Sequence, residues 1–399
     1  MATIVPRKNK DGEIISYQIQ VYRGRDANGK KLKPYIKTWK VPEGMSDKKI
    51  QKELNRVATL FEENCNKGTV SIEKPTFEEY AKYVIELKER NGAKHRTIYR
   101  YKSLLKRVVD VNSNGIGHLK LQDMRPEHLN KLYFTLAQDG QNQVTGGGLS
   151  AKTILEHHRF ISTVLSQAVK EQLLQYNTAQ RATPPKVPKH EAECFEIEDI
   201  QAIIKAVEHK PLKWKAMTHL FIATGARRGE ILGLQWQSVD FKTNQLYLCN
   251  NLLYSPEKGV YNTTLKTDEN RYVSVPQYVM DILKQWKQEQ SQIAYALDDE
   301  WEDTNYVFTQ ENGKPINPDS ISCFFKRLET KYHLPHINPH KFRHSQASIL
   351  INQGVDIVTV SKRLGHSKTS TTSDIYAHML RKSDETASDV INSVLNYGK

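Results

Sequence analysis

Near its start the chain alternates. Ile15, Tyr17, Ile19 and Val21 sit between polar neighbours, and Tyr35, Lys37, Trp39 and Val41 continue a second strand after the turn signal Asp26-Ala-Asn28-Gly29. A period of two is what a strand with one wet face requires, because successive side chains point to opposite sides. Ser46 can then cap a helix that carries Ile50, Leu54, Val57, Leu60 and Phe61 on one face. Gly68 and Pro75 break the pattern, and from Thr76 the period becomes helical. Tyr80, Val84 and Leu87 share one face, Ile98, Tyr101, Leu105 and Val108 a second, and Leu129, Leu132, Tyr133 and Leu136 a third. After the flexible Gly146-Gly147-Gly148, Ser150 caps a helix with Ile154, Ile161, Leu165 and Ala168. Four or five amphipathic helices with short connections predict a bundle.

Residues 177–190 are polar, basic and proline-rich, and they read as an extended linker that would let two domains close on a partner like a clamp. From about residue 191 a last domain begins. An apolar helix through Met217, Leu220, Phe221 and Ile222 breaks at Gly225, and Arg227 and Arg228 follow at once. Thr263, Leu265 and Thr267 lead into the turn Asp268-Glu269-Asn270, and Tyr272 to Pro276 return, which predicts a hairpin with Lys266 beside its tip. At the far end Ala387, Val390, Ile391, Val394 and Leu395 form an apolar stripe of helical period.

Charge narrows the partner. The net charge is +13 over 399 residues, and residues 1–41 alone hold ten Lys or Arg against three acids. That excess points to a polyanion, and nucleic acid is favoured over membrane because no long apolar run, signal peptide or lipidation signal is legible. Arg23, Arg25, Lys30 and Lys31 in the strand-rich start, and Lys94, Arg96, Arg100, Lys102 and Lys106 on the bundle's second helix, are the candidate DNA contacts; the plainer reading of each set is a solvated basic face. Cys65, Cys194, Cys249 and Cys323 are scattered, which suits a reduced cytoplasmic thiol set better than a disulfide framework or a zinc site.

The stretch His340 to Tyr376 holds the chemistry. It contains His340-Lys-Phe-Arg343, then Leu364-Gly365-His366, then Tyr376. A guanidinium offers a planar fork to two phosphate oxygens. An imidazole can hold or take a proton near neutrality, and a phenol can leave a covalent ester. His-x-x-Arg alone carries little weight, since it recurs at His378-Met-Leu-Arg381. Glu230, three residues after Arg227, could fix that side chain, or the two could form an ordinary weak surface pair.

In order, Thr-Gly-x-Arg at Arg227, the hairpin Lys266, His-x-x-Arg at His340 and Arg343, Leu-Gly-His at His366, and Tyr376 resemble the tyrosine recombinases. The likeness spans about residues 191–380. The bundle looks like that family's core-binding domain and the basic start like the arm-site domain of phage and conjugative-transposon integrases. The resemblance implies an α+β multidomain protein. It would comprise a small basic three-stranded sheet with a helix over 1–66, a helical core-binding bundle over 75–178, and a mainly helical mixed α/β catalytic domain over 191–399 with a tail helix 384–399. It further implies site-specific recombination without metal, ATP or cofactor. Tyr376 would attack the scissile phosphate to give a 3′-phosphotyrosyl link. Arg227 and Arg343 would grip the non-bridging oxygens, Lys266 would protonate the leaving 5′-oxygen, His340 would assist deprotonation of the phenol, and His366 would bond the phosphate. The implied partners are double-stranded DNA at core-type and arm-type sites and a homo-tetramer exchanging C-terminal tails, with an excisionase and a host DNA-bending protein as accessories.

Three other readings compete. A metal nuclease using His333, His336 and His340 is disfavoured because Pro335 and Pro339 interrupt any helix that could align them. A DNA-binding regulator built on a helix-turn-helix over 346–365 leaves Arg227, Lys266 and Tyr376 without purpose. A type IB topoisomerase shares the chemistry and differs in its product, a relaxed circle instead of exchanged strands. Tyr397 is the next nucleophile should Tyr376 fail.

Overall fold

A computed structural model describes residues 2–9, 12–25, 28–42, 44–66, 74–109, 114–188, 193–264, 270–366 and 368–370, with 372, 392 and 395 as single positions. They form two compact units, Met1–Lys189 and His190–Lys399. The first opens with an antiparallel sheet in the order β1 (Thr3–Lys8), β2 (Ile14–Val21), β3 (Tyr35–Lys40). Its register pairs Tyr17 with Trp39, Ile19 with Lys37 and Val21 with Tyr35. Ile19 and Val21 are buried against α1 (Asp47–Asn66), whose buried stripe is Leu54, Ala58, Phe61 and Cys65. Ile15 is in phase with Ile19, yet the core does not reach it and it is 53% exposed. Leu60, expected on the buried face of α1, lies one position off this stripe and is exposed.

The bundle has four α-helices among the described residues. A reciprocal cap opens α2 (Phe77–Arg90): Glu79 N donates to Thr76 Oγ1 and Thr76 N to Glu79 Oε2. Then come α3 (His95–Val109), α4 (Pro126–Leu136) and α5 (Ala151–Lys170), the last opened by Ser150 accepting from Thr153 N. The apolar faces read from the sequence meet in one core, with Leu129, Leu132, Leu136, Ile161, Leu165 and Ala168 fully buried. The glycine run before α5 is tightly packed at its last member. A Cβ on Gly148 would fall 1.9 Å from the Ala137 carbonyl, so only glycine lets that strand of chain close on the end of α4. Residues 177–179, read as the start of a linker, belong to the bundle core. Ala179 is fully buried, and Asn177 Nδ2 donates to the Ser162 carbonyl and to Ser166 Oγ, so the polar residue is satisfied inside.

The second unit surrounds α7 (Leu212–Thr224), which is buried on every side and packs against α6 (Ile197–Val207), α9 (Gln277–Leu297) and α11 (Pro339–Asn352). Phe221, Phe325 of α10 (Asp319–Tyr332) and Phe342 of α11 interlock in its core. One sheet has the order β4 (Val239–Asp240), β5 (Gln245–Leu248), β8 (Arg271–Ser274); the other pairs β6 (Asn250–Ser255) with β7 (Gly259–Thr264). This corrects the expected hairpin. The strand before the turn pairs backward with β6, through a tight turn closed by Gly259 at φ +67°, while β8 crosses to β5 and buries Val273. A short local turn closes with little loop entropy, and Val273 gains a core that β7 does not offer. Two short helices, α8 (Arg228–Leu232) and α12 (Ile357–Leu364), complete the unit. The chain is thus an α+β protein.

Candidate functional site

Two helix ends meet, and the site is built on them. α7 stops at Gly225 with φ +57° and α12 at Gly365 with φ +69°, both in the left-handed conformation that glycine adopts without strain. They approach so closely that a Cβ on Gly225 would lie 2.4 Å from Gln346 Oε1 and 3.0 Å from Leu364 Cδ2. The last carbonyls of a helix have no intrahelical partner and carry partial negative charge. Here guanidinium groups meet them. Arg363 Nη2 donates to the Ala223 carbonyl at 2.8 Å and Arg343 Nη1 to that of Gly225 at 3.1 Å. Arg227 Nη2 reaches the Gly365 carbonyl and Arg271 Nε that of Arg363, both at 2.8 Å.

One carboxylate organises two of these cations. Glu230 is 1% exposed. It accepts from Arg227 N at 2.9 Å, from Arg227 Nη1 at 2.7 Å, and from Arg271 Nη1 and Nη2 at 3.2 and 2.8 Å. Burial alone would push its carboxyl up, but the bonds and charge of Arg271, with Arg227 beside them, hold it below the usual range. Arg227 precedes α8 in extended conformation, so the backbone bond to Glu230 is a helix cap that also aims the guanidinium. The weak surface pair that spacing alone allowed is therefore replaced by a buried, shared carboxylate.

Three imidazoles face the arginines. Burial lowers His366 to about 4, and Arg343, Arg227, His344 and Arg271 add to the effect. His340 is lowered by partial burial, then by Arg343, Arg227 and Arg228, and His344 by burial, then by His340 and Arg343. All three shifts favour rings that are neutral at physiological pH, able to accept a proton at one nitrogen and donate from the other. His366 Nδ1 lies 2.8 Å from Oγ1 of the fully buried Thr372. Arg227, Arg343 and these rings thus lie together beside the one carboxylate, with Arg271 and Arg363 behind them on Glu230 and on main-chain carbonyls.

Arg227, Glu230, His340, Arg343 and His366 are brought together. Lys266 and Tyr376 lie outside the described residues, as does Tyr397. Arg271, Arg363, His344 and Thr372 belong to the site and were not singled out by the sequence reading. For His344 a signal existed, since it follows His340 by one helical turn on α11. For Arg271 and Arg363 none did, because their partners are main-chain carbonyls and a distant carboxylate. His333 ends α10 in left-handed conformation and His336 faces Glu329, so each has a local role. Among the described residues no group of three His, Cys, Asp or Glu is placed to hold a metal.

The basic candidates of the first unit divide. Arg96 is exposed, and Arg100, also exposed, pairs with Glu156 of α5. Lys102 and Lys106 border a groove of about 590 Å³ that they share with Glu78, Glu86 and Glu89 of α2. Lys94 is exposed at the start of α3. In the sheet, Arg23 stacks 4.9 Å over the Tyr35 ring, Arg25 Nη1 donates to the Gly29 carbonyl, and Lys30 and Lys31 are exposed. Asp26 and Ala27 of the expected turn are outside the described residues. Among the described residues no helix is long and apolar enough to cross a membrane.

Comparison with known proteins gives a consistent result. Residues 193–383 match the Phage integrase family and residues 76–183 the Phage integrase SAM-like domain. A tyrosine recombinase XerC-like protein of Caldanaerobacter subterraneus is 28% identical over 95% of this chain and 96% of its own length. The ICEBs1 integrase of Bacillus subtilis is 25% identical over 81% of this chain and 79% of its own. A solved Tn1549 transposon integrase in complex with transposon right end DNA shares the fold at a TM-score of 0.66 and 18% identity, over 79% of this chain and 99% of that one. A lambda integrase tetramer bound to a Holliday junction gives 0.54 at 14% identity, over 93% and 94%.

Proposed function

The chain belongs to the phage integrase family of tyrosine recombinases, and from that premise we propose how its side chains divide the reaction. It is a site-specific DNA recombinase of a mobile genetic element. Tyr376 is the nucleophile. Its phenol attacks the scissile phosphorus, forming a 3′-phosphotyrosyl bond as the bond to the 5′-oxygen breaks, and Lys266 gives that oxygen its proton. A 5′-hydroxyl from the exchanged strand then attacks the phosphotyrosine, so the bond energy is retained and no ATP is needed.

Arg227 and Arg343 bind the non-bridging oxygens, which gain charge in the five-coordinate transition state. The observation that carries this reading is the bond between Arg227 and the Gly365 carbonyl, which joins stretches 138 residues apart beside Arg343 and His366. Removing one such preorganised donor typically costs on the order of 10²–10³ in rate. A free phenol ionises near pH 10, so only about 0.1% is phenolate at pH 7. His340, held neutral, assists its deprotonation, and His366 donates a hydrogen bond to the phosphate.

DNA is the substrate and the principal partner. Arm-type and core-type contacts are assigned to the basic start and to α3, where the exposed Arg96 suits a phosphate track better than Lys102 and Lys106, whose groove holds three carboxylates. We further propose a tetramer on two duplexes with C-terminal tails exchanged between protomers, aided by an excisionase and a host DNA-bending protein. The test is incubation with a nicked duplex carrying the recognition site, followed by mapping of the peptide bound to DNA. Tyr376→Phe is expected to bind DNA as the wild type does and to form no detergent-resistant adduct. An adduct surviving in that variant would move the nucleophile, with Tyr397 next in line.

A further inference from the structure

We infer that Arg271 is a positioning residue for strand cleavage, holding Arg227 and the Gly365–His366 turn in register through a shared carboxylate and a helix-end carbonyl. The inference rests on the recombinase reading above and deepens it. Arg271 opens β8, and its side chain is 9% exposed, so it sits behind the site and not in it. Three of its nitrogens are committed: Nε to the Arg363 carbonyl, Nη1 and Nη2 to the two oxygens of Glu230. Its planar fork thereby fixes Glu230, and Glu230 in turn holds both the backbone and the guanidinium of Arg227. On its other side, a Cβ at Gly365 would lie 2.6 Å from Arg271 Nη1, so this guanidinium packs on the main chain next to His366.

Charge argues that the arrangement serves more than stability. Glu230 is already neutralised by Arg227. Burying a second guanidinium on the same carboxylate leaves a net positive charge that only helix-end carbonyls offset, and burying such a charge is costly. The cost is understandable where an anion will arrive and where the groups that receive it must not move. Arg227 itself keeps 30% of its side chain exposed. A lysine at 271 would keep the charge but could not span two carboxylate oxygens and a carbonyl with one compact ammonium group.

The experiment uses the full chain and a nicked duplex that traps the covalent adduct, with single-turnover rates measured for wild type, Arg271→Gln, Arg271→Lys and Tyr376→Phe. Arg271→Gln is expected to slow adduct formation by about tenfold to hundredfold, less than loss of a phosphate-binding donor itself, while DNA affinity by gel shift stays within about threefold. Arg271→Lys should recover part of that rate. The rate–pH profile should change at its acid end in Arg271→Gln, because losing that cation lets His366, which meets the phosphate, take a proton at higher pH. Equal rates in wild type and Arg271→Gln would overturn the inference. So would a rate loss in both variants that follows their melting temperature with no change in pH profile, which would make Arg271 a structural residue only. A wild type that forms no adduct, or a Tyr376→Phe that forms one, would instead overturn the recombinase reading at Tyr376, and this inference with it.

Discussion

A buried carboxylate is stable only where cations meet its oxygens, and at Glu230 Arg227 and Arg271 both do so. Glu230→Gln keeps the shape and removes the charge, leaving two guanidinium groups against a neutral amide. The expected loss is about 3 kcal/mol, the low end for breaking a buried pair, because Arg227 retains contact with water. Urea unfolding checks it, and a loss below about 1 kcal/mol would mean that Glu230 is better hydrated than its burial indicates. The imidazoles make a second prediction. Their folded-state values lie below the unfolded one near 6.5, so the unfolded chain binds more protons in the interval between. Their contribution to stability is therefore complete above about pH 6.5 and is lost as pH falls toward the His366 value of about 4. Melting temperature should drop over that window in the wild type and drop less in His366→Asn. Equal slopes would exclude His366 as a contributor.

At the scale of elements, the site depends on how two helices stop. Gly225 and Gly365 turn the chain sharply, so that helix-end carbonyls point at arginines instead of at solvent. Gly225→Ala combines a left-handed backbone with a Cβ driven against Gln346, and about 2 kcal/mol of destabilisation is expected. Thermal melting would measure it, and an unchanged midpoint would show that α11 can move aside. The same scale explains a misreading. β7 and β8 flank the stretch that carries Lys266, yet they belong to different sheets, because β6 lies nearest to β7 in sequence and β5 offers β8 a buried face. The helices were easier to read. Leu129, Leu132 and Leu136, or Ile161, Leu165 and Ala168, repeat at helical spacing and are all buried.

For the whole molecule, the sheet, the bundle and the second unit each close their own core. The tail stripe falls outside the described residues except for Leu395, which is 78% exposed. The proposed cover for that stripe is a neighbouring protomer. Deletion of residues 384–399 should lower the cooperativity of assembly on DNA while leaving the first binding step intact. Gel-shift titration distinguishes the outcomes, and unchanged cooperativity would return the tail to its own domain.

Sequence alone determined the elements and the chemistry on offer. Periods of two and of three to four residues placed the strands and the bundle helices, since side-chain direction follows directly from backbone geometry. The order of Arg227, Lys266, His340, Arg343, His366 and Tyr376 resembles that of the tyrosine recombinases, and the reaction proposed comes from that resemblance. What only the tertiary structure decided is how they are held. Arg271 and Arg363 grip main-chain carbonyls, which every residue possesses and no residue type signals. Glu230 became a buried hub instead of a surface partner because β8 crossed to β5 and brought Arg271 to it. Such contacts join positions far apart in the chain, so their energies exist only once the fold has closed.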